Sequence, residues 1–311
     1  MKPRHFVLAL AAVFLALAGG VVLGARVLTD PLVTGLPGDE GDLQQTVEAL
    51  TDEAAVLNNR LAAADEFDTA MSARIVGGAL AGKSVVLLRT PEAAEADLDS
   101  TIRLVQQAGG SVTGTIALTE EFVDGNAAEK LRSVVVSPIV PPGTQLSTTL
   151  TDASAQAGDL LGVALLIHRD PAIAPVDDAA RDTVLAALRD TGFIEAPERI
   201  GAANTAVIIT GGALPQDAGN QGAAVARFAA ALAPHGSGTV LAGRDGAASA
   251  ISAVAVTRAD PGLAAAVTTV DDIGTEAGRI TTVLALRALL DGAGAQKYGI
   301  GEGVAAVTVP Q

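Results

Sequence analysis

Cysteine and tryptophan are missing from all 311 residues, and one tyrosine with six phenylalanines keeps aromatic side chains at 2%. Without cysteine the chain forms no disulfide, no thiolate metal site and no thiol nucleophile. A conventional outer-membrane β-barrel needs aromatic girdles and alternating strands of about ten residues, and neither pattern is present. Positive charge is also scarce: 20 Lys and Arg against 35 Asp and Glu leave a net charge of −15. No basic patch exists to neutralise phosphates, which excludes nucleic acid as a partner. The acidic surplus is the ordinary means of keeping a domain soluble.

Chemistry-bearing motifs are equally sparse. The histidines are His5, His168 and His235, with no metal-spaced pair, and neither G-x-S-x-G nor H-E-x-x-H occurs. His168-Arg169-Asp170 shares its letters with a kinase catalytic loop, but Pro175 stands where that loop carries Asn. His235, in Pro234-His235-Gly236, reads as a solvated turn ending a helix. No catalytic residue and no cofactor is assigned, and the chain reads as a non-enzyme.

Against this scarcity stands one long apolar run, Phe6–Ala25, behind the basic start Lys2 and Arg4. Twenty residues at about 1.5 Å each reach roughly 30 Å, enough to cross a bilayer. The run predicts an anchor within residues 1–30. A cleaved signal ending at Ala16-Leu17-Ala18 is the alternative. Lys2 and Arg4 precede the run and acids dominate the residues beyond it, so the N-terminus is expected in the cytoplasm and the body across the membrane. That is the layout of an envelope protein.

Residues 31–75 read as a linker and a helix. Leu43, Val47, Leu50, Ala54, Leu57, Leu61 and Ala64 recur in alternating steps of four and three, a heptad seam. The seam predicts a parallel homodimer, with Arg60 facing Asp65 between chains; a helix packed on its own domain is the alternative. Gly77 to Ser84 matches the letters of a P-loop. A helical pattern precedes it and a strand comes after, the reverse of the order phosphate binding needs.

Residues 76–311 read as α/β. Strands are expected at Ser84–Arg89, Ser111–Leu118, Thr205–Thr210, Thr239–Ala242, Ala265–Val270 and Val304–Val309. Helices are expected from Thr90, as N-cap, to Gly109, then at Ala153–Leu166, Asp177–Arg189, Ala218–Ala233, Ala247–Val256 and Thr275–Leu290. Alternating strands and helices predict a Rossmann-like, mostly parallel sheet with helices on both faces, with a division into two lobes near 153 left open. Asp271 and Asp272 lie at the carboxyl end of a strand, where such sheets place their sites, and are the candidate ligand site.

The chain also resembles the mycobacterial copper-transporter B (MctB-type) family. The likeness runs through the anchor, the heptad helix, Leu80–Pro91, Ala108–Leu118, Thr269–Arg279 and Lys297-Tyr-Gly-Ile-Gly301, in order along nearly the whole chain. The family usually carries His where Lys297 stands. The resemblance implies an envelope protein linked to copper efflux and homeostasis, described as pore-forming in the outer membrane, with relatives that look like partners in envelope growth and division. Copper would be a transported ion. Copper prefers thiolate, thioether and imidazole, and one internal Met71 with isolated histidines does not predict a tight site within one chain.

Overall fold

The computed structural model describes residues 39–310, so the anchor expected at Phe6–Ala25 lies outside the described residues. No helix among them is long and apolar enough to cross a membrane. The chain divides into two compact units, residues 1–62 and 63–311. Helix α1 (Asp39–Val76) runs from the first unit into the second. Within the first unit, residues 43–62 are exposed without exception. The seam side chains stand open there: Leu43 is 65% exposed, Leu50 59% and Leu61 68%.

In the second unit, the chain turns through Gly77–Lys83 into β1 (Ser84–Arg89), then α2 (Glu95–Gln107) and β2 (Ser111–Leu118). Short helices α3 (Glu120–Val123) and α4 (Ala128–Val135) lead to α5 (Ala153–Leu165) and α6 (Asp178–Asp190). Next come β3 (Ile194–Glu195), β4 (Thr205–Ile209), α7 (Gln221–Leu232) and β5 (Thr239–Ala242). Helices α8 (Ala253–Ala259) and α9 (Pro261–Ala266), strand β6 (Thr268–Val270), α10 (Glu276–Leu290) and β7 (Lys297–Tyr298) complete it.

The strands form one sheet in the order β3-β2-β1-β4-β5-β6-β7, parallel except for β3 against β2. Residues before and after 153 therefore share a sheet, β1 beside β4. A parallel strand covered on both faces reads as a nearly continuous apolar run, and Thr205 to Ile209 are all buried. Alternate residues of β1 feed opposite layers. Val86 and Leu88 join a core with Leu160, Leu185 and Phe228, while Val85 and Leu87 join one with Leu104, Val283 and Leu286. Helices thus cover both faces, as the sequence pattern implies.

Several boundaries depart from the sequence reading. Thr90 does not cap α2; its N–H extends the ladder to Ile209 O at 2.9 Å, and the helix begins a turn later after Ala94. The helix expected at Ala247–Val256 starts instead at Ala253, because Gly246 and Ala250 take positive φ and make a turn. Val304–Val309 forms no strand. Lys297–Tyr298 occupies the place beside β6, and the chain end touches it through one bridge, Tyr298 to Ala306.

Candidate functional site

An open parallel sheet offers a crevice where its strand order reverses, here between the carboxyl ends of β1 and β4. That crevice is filled by the chain itself. Glu92 accepts a hydrogen bond from Thr210 Oγ1 at 2.7 Å. A Cβ placed on Gly211 would meet Glu92 Cγ at 2.8 Å, so the two segments are in contact. Helix α2 opens with Glu95 and Asp97 rather than a glycine-rich turn, which repels phosphate from its N-terminus.

Beside the crevice, charges gather along the carboxyl edge. Asp97 is fully buried and accepts from Arg244 Nε at 2.5 Å and from Arg279 Nη2 at 3.2 Å. Its hydrogen bond pushes the Arg244 guanidinium above its ordinary value. Glu276, also buried, accepts from Arg103 at 2.7 Å and 2.8 Å. The backbone N–H of Glu276 donates to Asp65 Oδ1 at 2.6 Å. Asp65, expected to face Arg60 of a second chain, has a partner within its own chain: it caps α10, where a second first-turn amide, Gly278 N, is capped by Thr275 Oγ1 at 3.0 Å.

The candidate carboxylates Asp271 and Asp272 come directly after β6 and part company. Asp271 is 1% exposed and pairs with Arg258 Nη1. It also accepts from the amides of Ile300 at 2.7 Å and Gly301 at 2.9 Å. Arg258 in turn donates to Thr269 Oγ1, Glu302 O and Tyr298 O at 3.0, 2.9 and 2.7 Å. The loop Tyr298-Gly299-Ile300-Gly301 wraps this pair so closely that a Cβ on Gly299 would lie 2.0 Å from Asp271 Oδ1. Gly299 also holds φ at +123°, where L side chains are strained. Lys297 Nζ donates to Arg258 O at 2.9 Å, holding the end of α8. Asp271 is thus a fully committed anion inside a clasp.

Asp272 is different. It is 5% exposed, yet its carboxylate accepts no hydrogen bond from another described residue, and Oδ1 is wholly shielded. Burial first, and the neighbouring Asp271 charge second, push it up to about 6. Room for any rearrangement is small, since Gly278 packs its Cα over Asp272 O and Oδ1.

The histidines lie elsewhere. His235 is not a solvated turn residue: Nε2 lies 2.6 Å from Asp159 Oδ1, and its ring covers Gly162. His168 Nδ1 accepts from Asp170 N at 3.0 Å. Among the described residues no group of three or more His, Asp or Glu is gathered for a metal ion.

Comparison with known proteins covers the same span. Residues 1–309 match the family model described as "Copper transport outer membrane protein, MctB". The chain belongs to the MctB family. The protein named copper transporter MctB of Mycobacterium tuberculosis is 57% identical over 310 residues, 99% of each chain. That of Mycobacterium leprae is 55% identical over 313 residues, again 99% of each. Thr269–Arg279 and Lys297–Gly301 are the two halves of the Asp271 clasp, brought together by the β6–β7 pairing. Sequence reasoning missed Asp97 and Arg244 because the two lie 147 residues apart; Arg258 is only 13 residues from Asp271, but no motif marks that spacing as a pair.

Proposed function

We propose that this MctB-family chain is a non-catalytic envelope component of copper homeostasis, acting in copper efflux. The observation that carries the reading is the family match along residues 1–309, together with 57% identity to a protein named copper transporter. The charged side chains of the carboxyl edge support the absence of catalysis, because Asp97, Glu276 and Asp271 are each spent on arginine. Anchoring would come from Phe6–Ala25, with the N-terminus in the cytoplasm and residues 39–310 beyond the membrane. The family description supports an outer-membrane address, which goes with the alternative of a signal cleaved after Ala18, since an anchor with a cytoplasmic N-terminus holds the chain in the inner membrane. Deleting the gene is expected to raise cell copper and copper sensitivity. Unchanged copper handling in the deletion strain overturns the proposal.

A second reading rests on α1. Val47, Leu50 and Leu57 are 55%, 59% and 49% exposed at heptad positions, and apolar seams of this kind are covered by a partner helix. In this reading the chain is a parallel dimer, a scaffold whose coiled coil engages proteins of wall hydrolysis or division. Its deletion would disturb septation without added copper. Leu50→Pro or Leu57→Pro would abolish partner capture while the α/β body stays folded; capture that survives either change argues against it.

A further inference from the structure

His168 and His235, isolated from each other in the sequence, line one cavity of about 440 Å³. Val163 of α5, Leu166 and residues 173–176 ahead of α6 give it apolar walls, and none of its lining residues is Asp, Glu, Lys or Arg. Each ring has one nitrogen engaged and one free. Asp159 accepts from His235 Nε2 at 2.6 Å through Oδ1 and from Ser147 N at 2.6 Å through Oδ2. The carboxylate has no proton to give, so it fixes the Nε2–H tautomer, and Nδ1 of the neutral ring presents a lone pair. His168 is set the opposite way: its Nδ1 accepts from Asp170 N, which leaves the proton on Nε2. Neither free nitrogen has a partner among the described residues, and neither is sealed from solvent. Gly162 lets the His235 ring lie against α5, since a Cβ there would fall 2.4 Å from its Cδ2.

We propose that this cavity binds a neutral hydroxyl compound with an apolar body, such as a phenol, its O–H donating to His235 Nδ1 and its oxygen accepting from His168 Nε2–H. A hydroxyl is donor and acceptor at one atom, the complement of a lone pair and an N–H set in one cavity. An ion is disfavoured, because the walls carry no fixed charge to compensate it and Asp159 already balances any charge on His235. A transition metal needs a lone pair from each ring, and His168 has only its N–H left. The hydrocarbon body lies on Val163, Leu166 and Ile173. The inference stands apart from copper handling, so either can fail alone.

Full-length protein in a mild detergent, ¹⁵N-labelled in histidine alone, carries only the imidazoles of His5, His168 and His235. Titration with p-cresol is expected to move His235 Nδ1 and His168 Nε2 together and saturably, while His5 does not follow. p-Xylene replaces the hydroxyl by a methyl and p-toluate replaces it by a carboxylate; each should bind at least about fivefold more weakly. His168→Leu should weaken p-cresol by about five- to tenfold, the loss of one hydrogen bond, and it assigns the remaining His235 signals. Val163→Phe fills the cavity without touching either ring's hydrogen bonds and should abolish binding, whereas the surface change Asp190→Asn leaves it intact. Shifts that do not saturate, p-xylene or p-toluate binding as tightly as p-cresol, or undiminished binding in His168→Leu or Val163→Phe overturns the proposal.

Discussion

Adjacent carboxylates with opposite surroundings make the residue scale informative. Asp271 has a guanidinium and two amides, whereas Asp272 has no hydrogen-bond donor from another described residue. Removing one partner of a buried ion pair strands the other, at about 3–5 kcal/mol. Arg258→Ala is therefore expected to lose about that much stability in urea unfolding, and a loss under about 1 kcal/mol would refute the clasp. Gly299→Ala should also destabilise strongly, since its Cβ would fall 2.0 Å from Asp271 Oδ1. For Asp272 the sign runs the other way. Its folded value, about 6, lies above the ordinary 3.8, so the folded state holds the proton at higher pH than the unfolded chain. The charged groups around it are Asp271, Arg258, Asp68 and Arg74. Stability is full below the unfolded value and falls as pH rises through about 6, by at most about 3 kcal/mol at 1.36 per unit. Asp272 lines a surface groove, and solvent there reduces that ceiling. Urea midpoints measured from about pH 4 to about pH 7.5 should decline more in the wild type than in Asp272→Asn; identical slopes would count against the assignment.

At the scale of elements, α10 is tied at its start to a segment more than two hundred residues away. Its N-terminus is capped from α1 by Asp65 and locally by Thr275. Asp65→Ala should cost about 1 kcal/mol and speed amide exchange at Glu276 before the rest of the helix. Uniform exchange along α10 would refute the tertiary cap. Helix α1 was legible because the helical spacing of its apolar residues is a local signal. The nearly continuous apolar runs of β1, β4 and β5 were legible for a related reason: strands buried on both faces carry few polar residues, here the threonines that open β4 and β5. Elements of two residues give no period to read, so β3 and β7 went unseen. The alternation at Val304–Val309 misled because a neighbouring segment had already taken the edge of β6.

At the scale of the whole molecule, the layered α/β plan and the location of Asp271-Asp272 at a strand's carboxyl end were readable in advance. The division of labour between those two acids was not. It depends on Arg258 and on a loop beginning at Tyr298, and nothing in the local sequence announces that these meet. The sheet order adds a related property, since β1 cannot be sandwiched until β4, more than a hundred residues later, has arrived. Contacts so distant slow folding and leave apolar strands open meanwhile. The clasp extends that dependence to the loop Tyr298–Gly301. A chain ending at Gln296 retains the Arg258–Asp271 pair but lacks the Tyr298 carbonyl and the Ile300 and Gly301 amides that complete it. Such a product should be sensitive to proteases while the full chain resists them. The Tyr298–Gly301 loop thus acts as a latch on the Asp271 centre, and a copy without it leaves that centre open to attack.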